Sequence, residues 1–256
     1  MSVSRLRQAT ESAAAATSGR FEMTIRSSGG TDGDMSMTTT GAYSGDRSQF
    51  STTIAASGVA DETIPGFGSV NDLMDNELIT VGRDTYVRGG VFGILGGEQN
   101  PGETGWLRIP GPAIDASELQ MVSPDQLSEL LDGAFGDVTD LGAADVRGAA
   151  TTRYQVALDI DRILGAGVTM MAPGDLSASG NLTIDVYVDA EGVARRVTFA
   201  PTLEGTTFEV AADYFDLGAE IDIQPPTDFA ELDAETLFGG LGKVLDDAFQ
   251  DLNSAD

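Results

Sequence analysis

The chain has 256 residues, 41% of them apolar, enough to fill the core of one large domain. Its 14 basic against 41 acidic residues leave a formal charge of −27, which repels phosphate backbones and reads as a solvating coat, so nucleic acid is not an expected partner. The absence of Cys and His removes thiol nucleophiles, disulfides, imidazole bases and the usual transition-metal ligands together, and no metal or cofactor is expected.

In chain order, Val3 to Ser18 predicts a helix with a thin apolar stripe of Val3, Leu6 and Thr10, ended by Gly19. From Arg20 the period changes to two: Phe21, Met23 and Ile25 point one way, while Arg20, Glu22, Thr24 and Arg26 point the other. After the Gly29 to Gly33 turn the alternation resumes through Met35, Met37, Thr39, Gly41 and Tyr43, and a third run puts Phe50, Thr52 and Ile54 on one face. Short polar turns between such runs predict an antiparallel meander. Glu77 to Val81, Thr85 to Arg88 and Gly105 to Ile109 extend the sheet.

Ser123-Pro124-Asp125-Gln126 opens a helix whose buried face is Leu127, Leu130, Leu131 and Phe135. Strong alternation returns in Thr151 to Ile160, in Leu182, Ile184, Val186 and Val188, in Val193, Arg195, Val197 and Phe199, and in Phe208, Val210, Ala212 and Tyr214. Glu220 to Ile223 reads as a last strand before Pro225-Pro226, and Asp233 to Leu252 as an amphipathic helix. No run approaches the ~20 apolar residues of a membrane-spanning helix. The order of elements is α+β: a strongly curved antiparallel sheet of about ten strands, with helices on its concave side.

Several stretches are similar to known sequences. Gly142-Ala143-Ala144-Asp145-Val146-Arg147-Gly148-Ala149-Ala150-Thr151-Thr152-Arg153-Tyr154 and Val186-Tyr187-Val188-Asp189-Ala190-Glu191-Gly192-Val193-Ala194-Arg195-Arg196-Val197 resemble the actinobacterial lipoproteins of the LppX/LprG type. So do Tyr86-Val87-Arg88, Gly105-Trp106-Leu107, and Asp216-Leu217-Gly218-Ala219-Glu220-Ile221-Asp222-Ile223-Gln224-Pro225-Pro226. The resemblance runs in order from about residue 5 to residue 226. It implies a fold similar to the carriers LolA and LolB, a half-barrel over helices with an apolar cavity for acylated lipids. It also implies export to the cell envelope, with a lipid anchor where a lipobox Cys precedes residue 1 and secretion otherwise. On this reading residues 1–226 form the lipid-binding domain and residues 227–256 an acidic helical extension.

The expected cavity lining is Phe21, Met23, Ile25, Met35, Met37, Phe50, Leu127, Leu131, Met170, Met171, Ile184 and Val186, with the methionines as an adaptable surface for varied acyl chains. Two glycine-rich apolar loops, Ile64 to Gly68 and Val91 to Gly97, present Ile64, Phe67, Phe92, Ile94 and Leu95 either as a mouth that touches a membrane surface or as a plug folded back on the core. Thr31 to Asp34 and Asp189 to Gly192 lack the spacing of a calcium loop and read as turns. No carboxylate pair or Ser/Lys pair is singled out for catalysis, and Lys243 falls in the last helix. The sequence therefore predicts a monomeric, non-catalytic, extracytoplasmic carrier of lipid or acylated glycolipid. The alternative is a surface domain of the same fold with a closed cavity that binds a protein partner.

Overall fold

The computed structural model describes residues 1–29, 34–45, 49–58, 63–64, 68–69, 71, 74–90, 92–93, 104–110, 131, 134–159, 181–203 and 205–232. Helix α1 spans Val3–Ala14, with the Ser2 hydroxyl accepting from the Arg5 amide at its start. It buries Leu6, Ala9, Thr10 and Ala13, one face at helical spacing, and the Thr10 hydroxyl donates to the Arg7 carbonyl at 2.8 Å. The helix stops short of the predicted Ser18. Beyond its end Ser18 is tied to the far part of the chain: the Gly218 amide donates to the Ser18 carbonyl at 2.9 Å, and the Ser18 hydroxyl donates to the Ala219 carbonyl at 2.7 Å. Gly19 then starts a strand, where a Cβ would lie 2.7 Å from the Tyr43 hydroxyl and 2.8 Å from Leu217.

The strands are β1 (Gly19–Ser28), β2 (Met35–Ser44), β3 (Gln49–Ser57), β4 (Thr63–Ile64), β5 (Gly68–Ser69), β6 (Asn76–Val81), β7 (Asp84–Gly89), β8 (Leu107–Ile109), β9 (Ala134–Val146), β10 (Ala149–Asp159), β11 (Asn181–Asp189), β12 (Ala194–Phe199), β13 (Thr202–Leu203), β14 (Thr206–Phe215) and β15 (Ala230–Glu231). Apart from the small β4-β5 hairpin they form one open 13-stranded sheet, larger than expected, in the order β15-β8-β7-β6-β3-β2-β1-β14-β12-β11-β10-β9, with β13 beside β14. Two meanders, one from each half of the chain, meet where β1 pairs antiparallel with β14. The edge pair of β15 with β8 is parallel, so the sheet is antiparallel throughout its body.

The sheet coils. Arg147, in the β9-β10 turn, reaches Glu22 on β1 and Asp213 on β14. In a flat sheet the three strand spacings and six residues between Arg147 and Asp213 would separate them by about 24 Å, far beyond an arginine's reach. Register shifts beside Tyr154 and between Gln155 and Ala157 bend the β9-β10 ribbon in the way bulges do.

Three expectations need correction. Phe135 is not on a helix: it lies in β9 opposite Ala157, although Leu131 is helical and buried as predicted. Glu220 to Ile223 joins no ladder; it runs extended with Ile221 and Ile223 buried, and the prolines that follow have no N–H to donate. The inward phase of β12 is Ala194, Val197 and Phe199, because Arg195 is an extra residue between the pairs Tyr187–Arg196 and Val188–Ala194 and turns outward to Asp189. Helix α1 packs on β9, β11 and β12. The rest of the Ser123 helix and all of the Asp233 helix lie outside the described residues.

The core divides into two clusters on the same side of the sheet. Leu6 and Ala9 of α1 pack with Leu131, Val156, Leu158, Leu182, Ile184, Val186, Val197 and Phe199. Tyr43, Leu78, Val87, Leu107, Ile109 and Leu232 form the second cluster, and Phe21 and Leu217 touch both.

Candidate functional site

Cross-strand partners share a face, so the ladder registers sort the sheet into two surfaces. One surface carries the row Arg153, Tyr187, Arg196, Asp213, Glu22, Thr40, Thr53, Glu77, Arg88 across β10, β11, β12, β14, β1, β2, β3, β6 and β7. The other carries Tyr154, Val186, Val197, Ala212, Met23, Thr39, Ile54, Asn76, Gly89, and one step along, Val156, Ile184, Phe199, Val210, Ile25 and Met37. In this second phase no charged residue occurs in any strand from β10 to β8, despite the 41 acids of the chain.

The charged face is internally neutralised. Arg196 donates to both carboxylate oxygens of Asp213 at 2.5 and 2.6 Å, and Arg147 adds a bond to the same carboxylate at 2.9 Å. Asp213 is only 4% exposed. Arg153 and Gln155 hold Asp185, and Arg88 lies against Glu77 with its guanidinium 4.7 Å from the Trp106 ring centre. The hydrogen bond to Asp213 raises the Arg196 pKa above its ordinary value against the opposing effect of burial, and Asp185 does the same for Arg153. Asp189 is committed to its turn, accepting from the Val193 amide at 2.8 Å and from Arg195 at 2.6 Å, as turn chemistry requires.

The predicted lining residues share the uncharged face where they are described. Phe21, Met23 and Ile25 alternate on β1 opposite Gly41, Thr39 and Met37, and Met35 follows on β2. The Phe21 ring lies over Gly41, where a side chain would collide with it. Ile184, Val186 and Leu131 are buried in the cluster beneath α1, whereas Ile25, Met35, Met37 and Ile54 are half-buried. Phe50 pairs with Tyr43 in the β2-β3 register. Of the loop residues, Ile64 opposes Gly68 in the β4-β5 hairpin, and Phe92 packs against the second core cluster. Leu127, Met170, Met171, Phe67, Ile94 and Leu95 lie outside the described residues.

One residue of this face was passed over in the sequence. Thr39 is 3% exposed, and its hydroxyl has no hydrogen-bond partner among the described residues. An orphaned buried hydroxyl costs about 1–3 kcal/mol. The signal was present as a polar residue in the inward phase of Met35, Met37, Thr39, Gly41 and Tyr43.

No protein-family model and no curated protein matches the sequence. In three dimensions the chain superposes on LprF from Mycobacterium bovis with a TM-score of 0.54 at 12% identity, over 88% of this chain and 96% of that one. The fold is similar to that of LprF. The Mycobacterium tuberculosis lipoprotein LppX follows at a TM-score of 0.47 and 12% identity, covering 87% and 97% of the two chains. A LolA-superfamily protein from Nitrosomonas europaea aligns over 88% of this chain and 96% of its own, at 11% identity and a TM-score of 0.28. The likeness to LprF agrees at the level of fold with the resemblance read from the sequence.

Proposed function

We propose that the protein is a non-catalytic extracytoplasmic carrier, acting as a monomer, that shelters the acyl chain of a lipid or lipoglycan against the uncharged face of the sheet. The observation that carries this is the exclusion of charge from one whole phase of the strands between β10 and β8 while the opposite phase holds the ion pairs. The half-buried Ile25, Met35, Met37 and Ile54 extend the apolar surface of the sheet into β1, β2 and β3. Each methylene buried there contributes about 0.8 kcal/mol, so a long acyl chain gains on the order of 10 kcal/mol before ordering costs. Shape and apolar area then suffice for binding without a polar motif. The LprF-like fold and the sequence resemblance support the same class of ligand and its setting outside the cytoplasm.

Uptake of a fluorescent fatty acid by delipidated protein tests this directly. Saturable binding is expected, with Met37→Arg reducing affinity more than tenfold while the circular dichroism spectrum is unchanged. A folded protein that takes up no fatty acid overturns the carrier assignment and favours a closed domain that meets a protein partner.

A further inference from the structure

We propose that the Thr39 hydroxyl is the internal polar contact for the ligand, donating a hydrogen bond to the ester carbonyl of a bound acyl lipid; the assignment rests on the carrier function above. Thr39 sits between Met23 on β1 and Ile54 on β3, with Met37 and Gly41 two residues away on its own strand, so its immediate partners on this face offer no oxygen or nitrogen side-chain atom. Other polar groups of the same face are engaged: Ser27 accepts from the Met35 amide at 3.2 Å, the Thr80 and Thr85 hydroxyls meet at 3.4 Å, and the Asn76 side-chain amide donates to the Met74 carbonyl at 2.9 Å.

Strand formation does not explain the hydroxyl. Valine has the same branched shape and the same preference for strands, and would fill the position without a buried polar atom. A hydroxyl kept at a dry position without a protein acceptor is suited to an acceptor that arrives with the ligand. An ester carbonyl fits: it lies where an acyl chain joins its head, it accepts and cannot donate, and an O–H is the complement it lacks. One such bond among apolar contacts fixes how deep the chain sits, as a few placed polar groups do in largely apolar pockets.

Paired lipids of equal chain length separate this from carriage in general. Diester phosphatidylglycerol and its dialkyl ether analogue, which has no carbonyl, are each titrated against protein loaded with a fluorescent fatty acid. In the unaltered protein the diester displaces the probe better than the diether. Thr39→Val is expected to weaken the diester about three- to tenfold and leave the diether unchanged. Thr39→Ser, which keeps the hydroxyl, retains the ester preference. The same Thr39→Val protein is expected to melt at a higher temperature than the parent, because it no longer buries an orphan hydroxyl. If Thr39→Val binds both lipids as the parent does, the Thr39 assignment falls and carriage stands. If neither lipid nor fatty acid binds the parent, carriage falls and takes the Thr39 contact with it.

Discussion

Asp213 gathers the contacts of the charged face. It lies in β14, 4% exposed, and accepts from Arg196 and from Arg147, which arrives from the far hairpin. Removing the carboxylate leaves two guanidinium groups facing each other without their shared counter-charge, whereas removing Arg147 leaves Asp213 still held by both nitrogens of Arg196. The two losses are therefore unequal. Asp213→Ala is expected to destabilise the fold by about 2–3 kcal/mol, and Arg147→Ala by about 1 kcal/mol or less, since the Arg147 side chain is 34% exposed and partly hydrated. Urea unfolding of the two variants checks the order; equal losses would mean that the Arg147 contact, and with it the bend of the ribbon, matters as much as the buried pair. The sequence showed Arg147, Arg196 and Asp213 as members of strands and turns, and gave no sign that they meet. Residue 147 and residue 213 come together only once the sheet has coiled, and no local pattern encodes that curvature.

The elements were legible where local pattern and tertiary burial agree. In β1, β2, β10, β11 and β14 one face packs and the other meets solvent or ions, so the period of two shows directly in the side chains. It failed for β9, whose described side chains are mostly exposed and whose Gly142, at φ 91°, interrupts any alternation; that edge strand exists because β10 supplies its ladder. It also failed for β15. Two residues, Ala230 and Glu231, carry no strand signal, and their partner β8 lies far back in the chain. The chain after Pro226 belongs to this sheet: the Ala230 amide donates to the Trp106 carbonyl, the Leu232 amide to the Arg108 carbonyl at 2.8 Å, and Leu232 is 1% exposed among Leu107, Ile109 and Val87. Residues 227–232 thus cover the β8 edge and fill the second core cluster. A chain ended at Pro226 is expected to lose about 2–5 kcal/mol, as is Leu232→Ala, and the truncated form alone is expected to self-associate through the bared edge. Denaturant midpoints with sedimentation velocity distinguish the two; an unchanged midpoint in the shortened chain would show that the domain is complete at residue 226.

At the scale of the whole molecule the charge of −27 opposes folding, and the ion pairs oppose it only locally. Raising salt acts on these unequally. Between 10 mM and 0.3 M the screening length falls from about 30 Å to about 6 Å, which removes most repulsion between distant surface carboxylates. Contacts such as Arg196 to Asp213, at 2.5 Å and mostly shielded from water, are far shorter than either length and lose little. Screening of the repulsion wins, so the melting temperature is expected to rise with sodium chloride over this range. Change of pH from 6 to 8 should leave it nearly flat. The chain has no His or Cys, and the raised pKa values of Arg196, Arg153, Arg147 and Arg108 act elsewhere. A group whose folded pKa exceeds its unfolded value gives its full stabilisation below the unfolded value and loses it only as pH climbs through the folded one, which for arginine is strongly alkaline. Melting curves across salt and pH measure both: a melting temperature that falls on adding salt would mean that close ion pairs on the charged face, and not relief of repulsion, dominate the electrostatics of the fold.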